Sequence, residues 1–354
     1  MTLELAEKIA TAVLYEGYML YPYRASSVKN RQRFNWGTLA PRSYSDAQKG
    51  TEAWETQTEC LVLGNEKTKV HVRLRFLHLT NREIGKIEPP SADMPADFDL
   101  VSSLEVNGRL YQEWQEALER MVDVPVVKLG RTKPLRHDFS FSAARNIEGL
   151  GDSAGSIAGV IVRTRSAING LVRVGVSDCG IRKEEKKLFK ITVQVQNTTP
   201  FENASEKIRE EALLSSIVSA HTILSVNGGE FVSLLEPPDE FAEAAAACEN
   251  VKTYPVLAGE VGDHTCMLSS PIILYDYPQI APESAGDLFD GAEIDEILTL
   301  RIMTLTDEEK REMRGIDDRA RKILERTEFM PEEQLLKMHG AMRGLTNTRK
   351  ATYG

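Results

Sequence analysis

The chain has 354 residues, 42% of them apolar and 27% charged, with a net charge of -10 and a pI near 5.3. A chain of this size can bury a full core without covalent staples, and its acidic balance argues against the basic face on which general nucleic-acid affinity rests. Its four cysteines, Cys60, Cys179, Cys248 and Cys266, form no CxxC pair, unlike a disulfide framework or a paired-thiolate zinc or iron–sulfur site.

In chain order, residues 5–20 set Leu5, Ile9, Val13 and Met19 at helical spacing with alanines between, and Gly17 and Pro22 end the pattern. An amphipathic helix is expected there. Glu4, Glu7, Lys8 and Glu16 interrupt any signal-peptide core. No apolar run reaches the roughly 18 residues of a membrane span, so the expected compartment is the cytoplasm, with reduced thiols.

The strip "LYPYRASSVKNRQRFNWG", residues 20–37, follows as loop or irregular strand. It sets Tyr21, Tyr23, Phe34 and Trp36 among Arg24, Lys29, Arg31 and Arg33, and no Asp or Glu occurs from Gly17 to Ser45. Arg42 adds a fifth positive charge.

"KVHVRLRFLHL", residues 69–79, alternates Val70, Val72, Leu74 and Phe76 on one face with His71, Arg73 and Arg75 on the other, which predicts a strand. Asn107-Gly108, Asn169-Gly170 and Asn227-Gly228-Gly229 each lie between β-forming runs. Asn-Gly supplies the positive φ angles of a tight turn, so three hairpins and an antiparallel sheet are expected. Short helices are predicted over 206–218 and 239–248, and a further strand over 267–275.

Beyond Pro278 the pattern becomes helical and acidic. Thr306 and Glu309 form a capping box, Pro331 suits a first helical position, and residues 287–333 carry fifteen acids against eight bases. Ile294, Ile297, Leu298, Ile302 and Leu305 would pin these helices to an apolar surface. The expected fold class is α+β: an antiparallel β-rich body over 1–278, sandwich or barrel-like, with an internal boundary near 149–159. A helical appendage over 279–345 and a frayed end over 346–354 complete it.

No complete catalytic constellation emerges. "GLGDSAGSIAG" (149–159) fits neither phosphate-loop spacing, and a plain loop is its expected role. Ser26 and Lys29 match SxxK but lack the companion elements of that chemistry. His71, His78, His137, His221 and His339 stand alone, and Glu293 and Glu296 read as a solvated pair. Asp263-His264-Thr265-Cys266 is the one tight cluster of nucleophile and ligand types. If strand alternation put His264 and Cys266 on one face, they would be the candidate base and nucleophile of an acyl transferase or hydrolase; a loop histidine before a core cysteine is the plainer expectation. No metal or cofactor is expected. For the strip, the plain reading is a solvated loop. The functional one is recognition of an anionic partner by forked arginines and rigid aromatics, through Tyr21, Tyr23, Arg24, Lys29, Arg31, Arg33, Phe34 and Trp36. Docking of the chain's own acidic tail is a third reading, and single-stranded RNA the weakest. An anion-substrate enzyme using the strip remains the enzymatic alternative.

"LYEGYMLYPYRASSVKNR" and "LYDYPQIAPESAGDLFDGAEIDEILTLRIMTLTDEEKREMR" resemble an uncharacterised bacterial family associated with gene clusters of uptake nickel–iron hydrogenases. The resemblance implies an accessory or assembly protein whose partner is a hydrogenase subunit or maturation factor. The chain is not similar to the hydrogenase subunits themselves, which need paired CxxC motifs or many more cysteines.

Overall fold

The computed structural model describes residues 2–14, 36–94, 97–279, 302–316 and 318–329. Helices α1 (Thr2–Leu14) and α2 (Arg42–Ala47) precede strands β1 (Glu55–Gly64), β2 (Lys69–Ser91), β3 (Asp99–Val101), β4 (Ser103–Val106) and β5 (Arg109–Gln112). Next come β6 (Trp114–Lys128), β7 (Leu135–Phe141), β8 (Ala144–Gly151), β9 (Ile157–Arg165), β10 (Ile168–Lys183) and β11 (Lys186–Asn197). Helix α3 (Arg209–Leu213), β12 (Val218–Asn227), β13 (Glu230–Val232), α4 (Ala242–Ala246), β14 (Tyr254–Leu257) and β15 (Cys266–Ser270) follow, and the described chain ends in α5 (Asp307–Ile316) and α6 (Asp318–Glu328).

The pairing is antiparallel throughout. One sheet runs β13-β1-β11-β10-β7; a larger one runs β14-β15-β12-β2-β9-β8, with β3 and β6 also on β2; β4 and β5 form a separate hairpin. The sheets are open, so the barrel-like alternative does not hold. The 23-residue β2 is the spine. Its first half pairs with β12 on one edge and β6 on the other; its second half pairs with β9 and then β3.

The alternation read in residues 69–79 is what builds the core. Val70, Val72, Leu74 and Phe76 join a cluster with Val124, Leu224 and Met267 of the larger sheet and with Val62, Val174 and Ile191 of the smaller one. The opposite face of β2 receives α1. Glu7 pairs with Arg73, while Arg75 Nη1 donates to the Glu7 carbonyl and to Thr11 Oγ1, each at 3.0 Å. The buried side of α1 is Ala6, Ile9, Ala10 and Leu14, rotated from the expected Leu5/Ile9/Val13 stripe because the two alanines allow close approach to Ile223 and Leu268. Residues 15–20 of that expected helix, and Ile294, Ile297 and Leu298, lie outside the described residues.

Of the three expected hairpins, Asn107-Gly108 makes one, with φ of 52° and 74° between β4 and β5. Asn169-Gly170 does not: it lies inside β10, where a Cβ on Gly170 would sit 2.1 Å from Phe139 Cζ, so this glycine makes room for a ring. The turn at Gly228 joins β12 to β13, which belong to different sheets. Of residues 149–159, the ends belong to β8 and β9 and 152–156 form the turn between them, in which Asp152 Oδ1 accepts from the amides of Ala154 and Ser156 at 2.9 and 2.8 Å. The carboxylate thus occupies the amides an anion would have used.

The terminal helices dock on this body. Ile302, Met313 and Leu324 are buried. Thr306 and Glu309 form the expected reciprocal cap, with Thr306 N–H donating to Glu309 Oε2 at 2.6 Å and Glu309 N–H to Thr306 Oγ1 at 3.3 Å. Arg82, 4% exposed, donates to the carbonyls of Gln112 and of Gly315, the latter at 2.9 Å, so a strand arginine satisfies an orphan carbonyl in the last turn of α5. A Cβ on Gly315 would sit 2.4 Å from the Leu110 carbonyl oxygen. Gly315→Ala is therefore expected to cost about 1–3 kcal/mol by overpacking. Urea denaturation should show that loss, and amide exchange should quicken in 307–329 before the sheets.

His78 and His221 are buried, 0% and 1% exposed. Burial, reinforced by nearby arginines, pushes each imidazole from 6.5 down to about 4 despite a carbonyl partner that opposes the shift. Between those values the unfolded chain takes up protons that the folded histidines refuse, so stability falls as pH drops from 6.5 towards 4. Denaturation midpoints across that window should show the loss, and His221→Gln should flatten its slope.

Candidate functional site

Residues 36–42, which continue the basic strip in sequence, are fixed by backbone bonds. Leu39 exchanges N–H···O bonds of 2.8 and 3.1 Å with Ile217, Ala40 N–H donates to Ala53 O at 2.7 Å, and Ala220 N–H donates to Gly37 O at 2.9 Å. Gly37 adopts a φ of 61°, and a Cβ there would sit 2.6 Å from Pro271 Cγ. Buried Asn197 ties the same segment to the sheet, its Nδ2 donating to the carbonyls of Leu39 and Ser215 at 2.8 and 2.9 Å.

Arg42, at the end of this anchored segment, lines a groove of about 630 Å³ together with residues that include Trp54, Arg136, Arg173, Asn197 and Phe201. The Arg42 guanidinium lies 4.7 Å above the Trp54 ring, an arrangement that holds a cation in place while leaving its N–H groups free to donate. Arg136 and Arg173 are opposite one another on β7 and β10. Arg136 holds Asp138 in a two-pronged bond of 2.8 and 2.7 Å, which lowers the carboxyl's pKa and raises that of the guanidinium. Arg173 has no hydrogen bond or ion pair among the described residues. Three guanidiniums thus face the carboxylates of Asp138 and of Asp46, the latter 3.8 Å from Arg42. The lining can accept a carboxylate or another planar anion and lay an aromatic or aliphatic group on Trp54 and Phe201.

Of the residues proposed from sequence for partner binding, Trp36 is described and is 40% exposed. Tyr21, Tyr23, Arg24, Lys29, Arg31, Arg33 and Phe34 lie outside the described residues. Sequence reading missed Trp54, Arg136 and Arg173. Each is an isolated residue in or beside a strand, and no local motif separates such a residue from a solvated one; only the pairing of β7 with β10 brings the two arginines together.

His264 and Cys266 do not form a nucleophile and base. Cys266 opens β15 at 1% exposure, against Ala6, Ile9, Ile223 and Leu268. Burial pushes its thiol up to about 12. His264 precedes the strand in an exposed turn, where Asp263 Oδ1 accepts from the Thr265 N–H and hydroxyl, and its Nδ1 faces the Phe231 carbonyl at 3.1 Å. That turn breaks the alternation on which the pairing depended. Among the described residues no three His, Cys, Asp or Glu side chains cluster as a metal site, and no helix is long and apolar enough to cross a membrane.

No protein-family model and no curated protein matches the chain.

Thiol reactivity follows thiolate character and access. Cys60 and Cys266 are buried, with burial raising both thiols. In native protein at pH 8, iodoacetamide should leave both unmodified over a time in which the denatured chain reacts fully. Mass-spectrometric detection of rapid native labelling at Cys266 would contradict the burial described.

Proposed function

We propose that the protein is a non-catalytic accessory factor that binds an acidic segment of a protein partner, seated in the Arg42/Arg136/Arg173 groove and extended along the basic strip 21–36. The observation that carries this reading is the continuity of the two. The last residues of the strip, Trp36 and Gly37, run into the segment that is bonded to the body at Gly37, Leu39 and Ala40 and that supplies Arg42, stacked on Trp54, to the groove. Exposed ion pairs contribute only about 0–1 kcal/mol each, so the affinity would come from aromatic contact and the charges would set partner choice and encounter rate.

The resemblance to a family encoded beside uptake nickel–iron hydrogenases names the partner class: a hydrogenase subunit or maturation factor. The main cluster's use of residues from both open sheets favours a β-sandwich. Four free thiols favour the cytoplasm, and nucleic acid is not an expected partner. The burial of Cys266 weighs against the Cys/His enzyme alternative.

Tagged full-length protein purified from its native host should recover hydrogenase subunits or maturation factors. Replacing Arg24, Lys29, Arg31 and Arg33 with Gln, or Arg42 and Arg173 with Gln, should abolish that recovery; at Arg42 and Arg173, both exposed, stability should shift by no more than about 0.5 kcal/mol per site. Capture by the quadruple variant at the wild-type level would reduce the strip to a solvated loop.

A further inference from the structure

A second cationic site lies inside the body, where two chain segments change sheets together. β7 leaves the smaller sheet and reaches β8 in the larger one through residues 142–143, while β9 returns to β10 through 166–167. The two crossings are adjacent, because Phe141 pairs with Ile168 on one side and Ala144 pairs with Arg165 on the other. Arg165 stands at this corner. Arg120 reaches it from β6, its guanidinium 4.5 Å above the Phe141 ring and its Nε 3.5 Å from His78 Nδ1.

Nearby carboxylates are already committed. Glu116, on the same face of β6, takes Arg82 at 3.3 Å and Arg163 at 2.8 Å; Glu148 takes Arg163 at 2.6 Å; Glu119, on the other face, takes Arg75 at 3.1 Å. Arg120 and Arg165 are left without a carboxylate among the described residues. Arg165 Nε is fully shielded from solvent yet has no hydrogen-bond partner. Burial and the charge of Arg165 both lower the Arg120 pKa. His78 cannot neutralise them: its Nε2 faces the Ser166 carbonyl at 2.9 Å, and it is a neutral imidazole at physiological pH. Two half-buried like charges and an orphaned buried donor carry a free-energy cost that an anion in the corner would remove.

We propose that the corner formed by Arg120, Arg165, His78 and Phe141 is a binding site for a phosphoryl group, free or as a monoester. A carboxylate would offset one of the two guanidiniums. A phosphoryl group carries a charge of about -1.5 to -2 near neutral pH and three acceptor oxygens, and so can offset both guanidinium charges at once. This site is separate from the outer groove and does not rest on the partner-binding reading.

The test uses the full chain at pH 7, with inorganic phosphate and phosphoserine titrated against chloride at matched ionic strength, followed by calorimetry and thermal denaturation. Wild-type protein should show saturable binding and a saturable rise in Tm. The tighter of the two ligands identifies the source as free phosphate or an ester. Arg165→Gln should weaken binding about tenfold or more, and Arg165→Lys, which keeps the charge but loses the fork, should fall between; Arg182→Gln, an exposed residue of β10 outside both arginine clusters, should bind like wild type. If Arg165→Gln does not fold, the wild-type titration and Arg165→Lys still decide. Absence of saturable binding to the wild type overturns the proposal, as does an equal response from Arg165→Gln, which would be bulk salting. Loss of binding in Arg173→Gln with retention in Arg165→Gln overturns it too, by moving the anion to the outer groove.

Discussion

The backbone of β2 must find partners along both edges for 23 residues, and the rest of the molecule is arranged to supply them. Unpaired N–H and C=O groups buried away from water are costly, and no single neighbour among these strands is long enough for the task. β12 and β6 serve the first half, β9 and β3 the second. The change of partner makes one strand the floor of two hydrophobic clusters. One is centred on Leu74 and Phe76, the other on Ile84 with Val106, Leu150 and Ile161. The helices then cover what remains: α1 takes the Arg73/Arg75 face, and α5 lies on the β4–β5 hairpin, tied there by Arg82.

The net charge conceals how the protein uses its arginines. Arg75 and Arg82 are 6% and 4% exposed, Arg75 fixed by the Glu119 carboxylate, the Glu7 carbonyl and the Thr11 hydroxyl, Arg82 by the Glu116 carboxylate and the carbonyls of Gln112 and Gly315, so their desolvation is offset by several donors used at once. Arg42 and Arg173 point outward, one stacked on an indole. Arg120 and Arg165 fall between these groups, half-buried with neither acid nor full solvent.

Much of the sheet architecture was legible in the sequence, because alternation is a local signal with a nonlocal consequence. The Val70/Val72/Leu74/Phe76 face and the turn at Asn107-Gly108 were readable from a few neighbouring residues, as was the cap at Thr306 and Glu309. Asn169-Gly170 was misleading since its glycine answers a ring on another strand, a demand that does not show in its own neighbourhood. The changes of sheet at 142–143 and 166–167 leave no local mark either. For that reason neither arginine cluster could be read in advance: Arg136 meets Arg173, and Arg120 meets Arg165, only after distant strands pair. His264 and Cys266 failed in the reverse sense, being two residues apart in sequence, with His264 held in the turn that Asp263 makes with Thr265 and Cys266 in the strand.

The continuity of β2 also governs where this chain could be cut and rejoined. A break anywhere within 69–91 would sever a strand shared by both clusters and release partners on two edges, so the molecule cannot be divided there into two independently folding fragments. The β8–β9 turn is different. It joins neighbouring strands of one sheet, its amides are satisfied by Asp152 within the turn, and Gly151 and Gly155 face open space. New chain ends placed there by circular permutation would leave every ladder bond of the spine intact, which makes this turn a natural seam in a fold that otherwise has few.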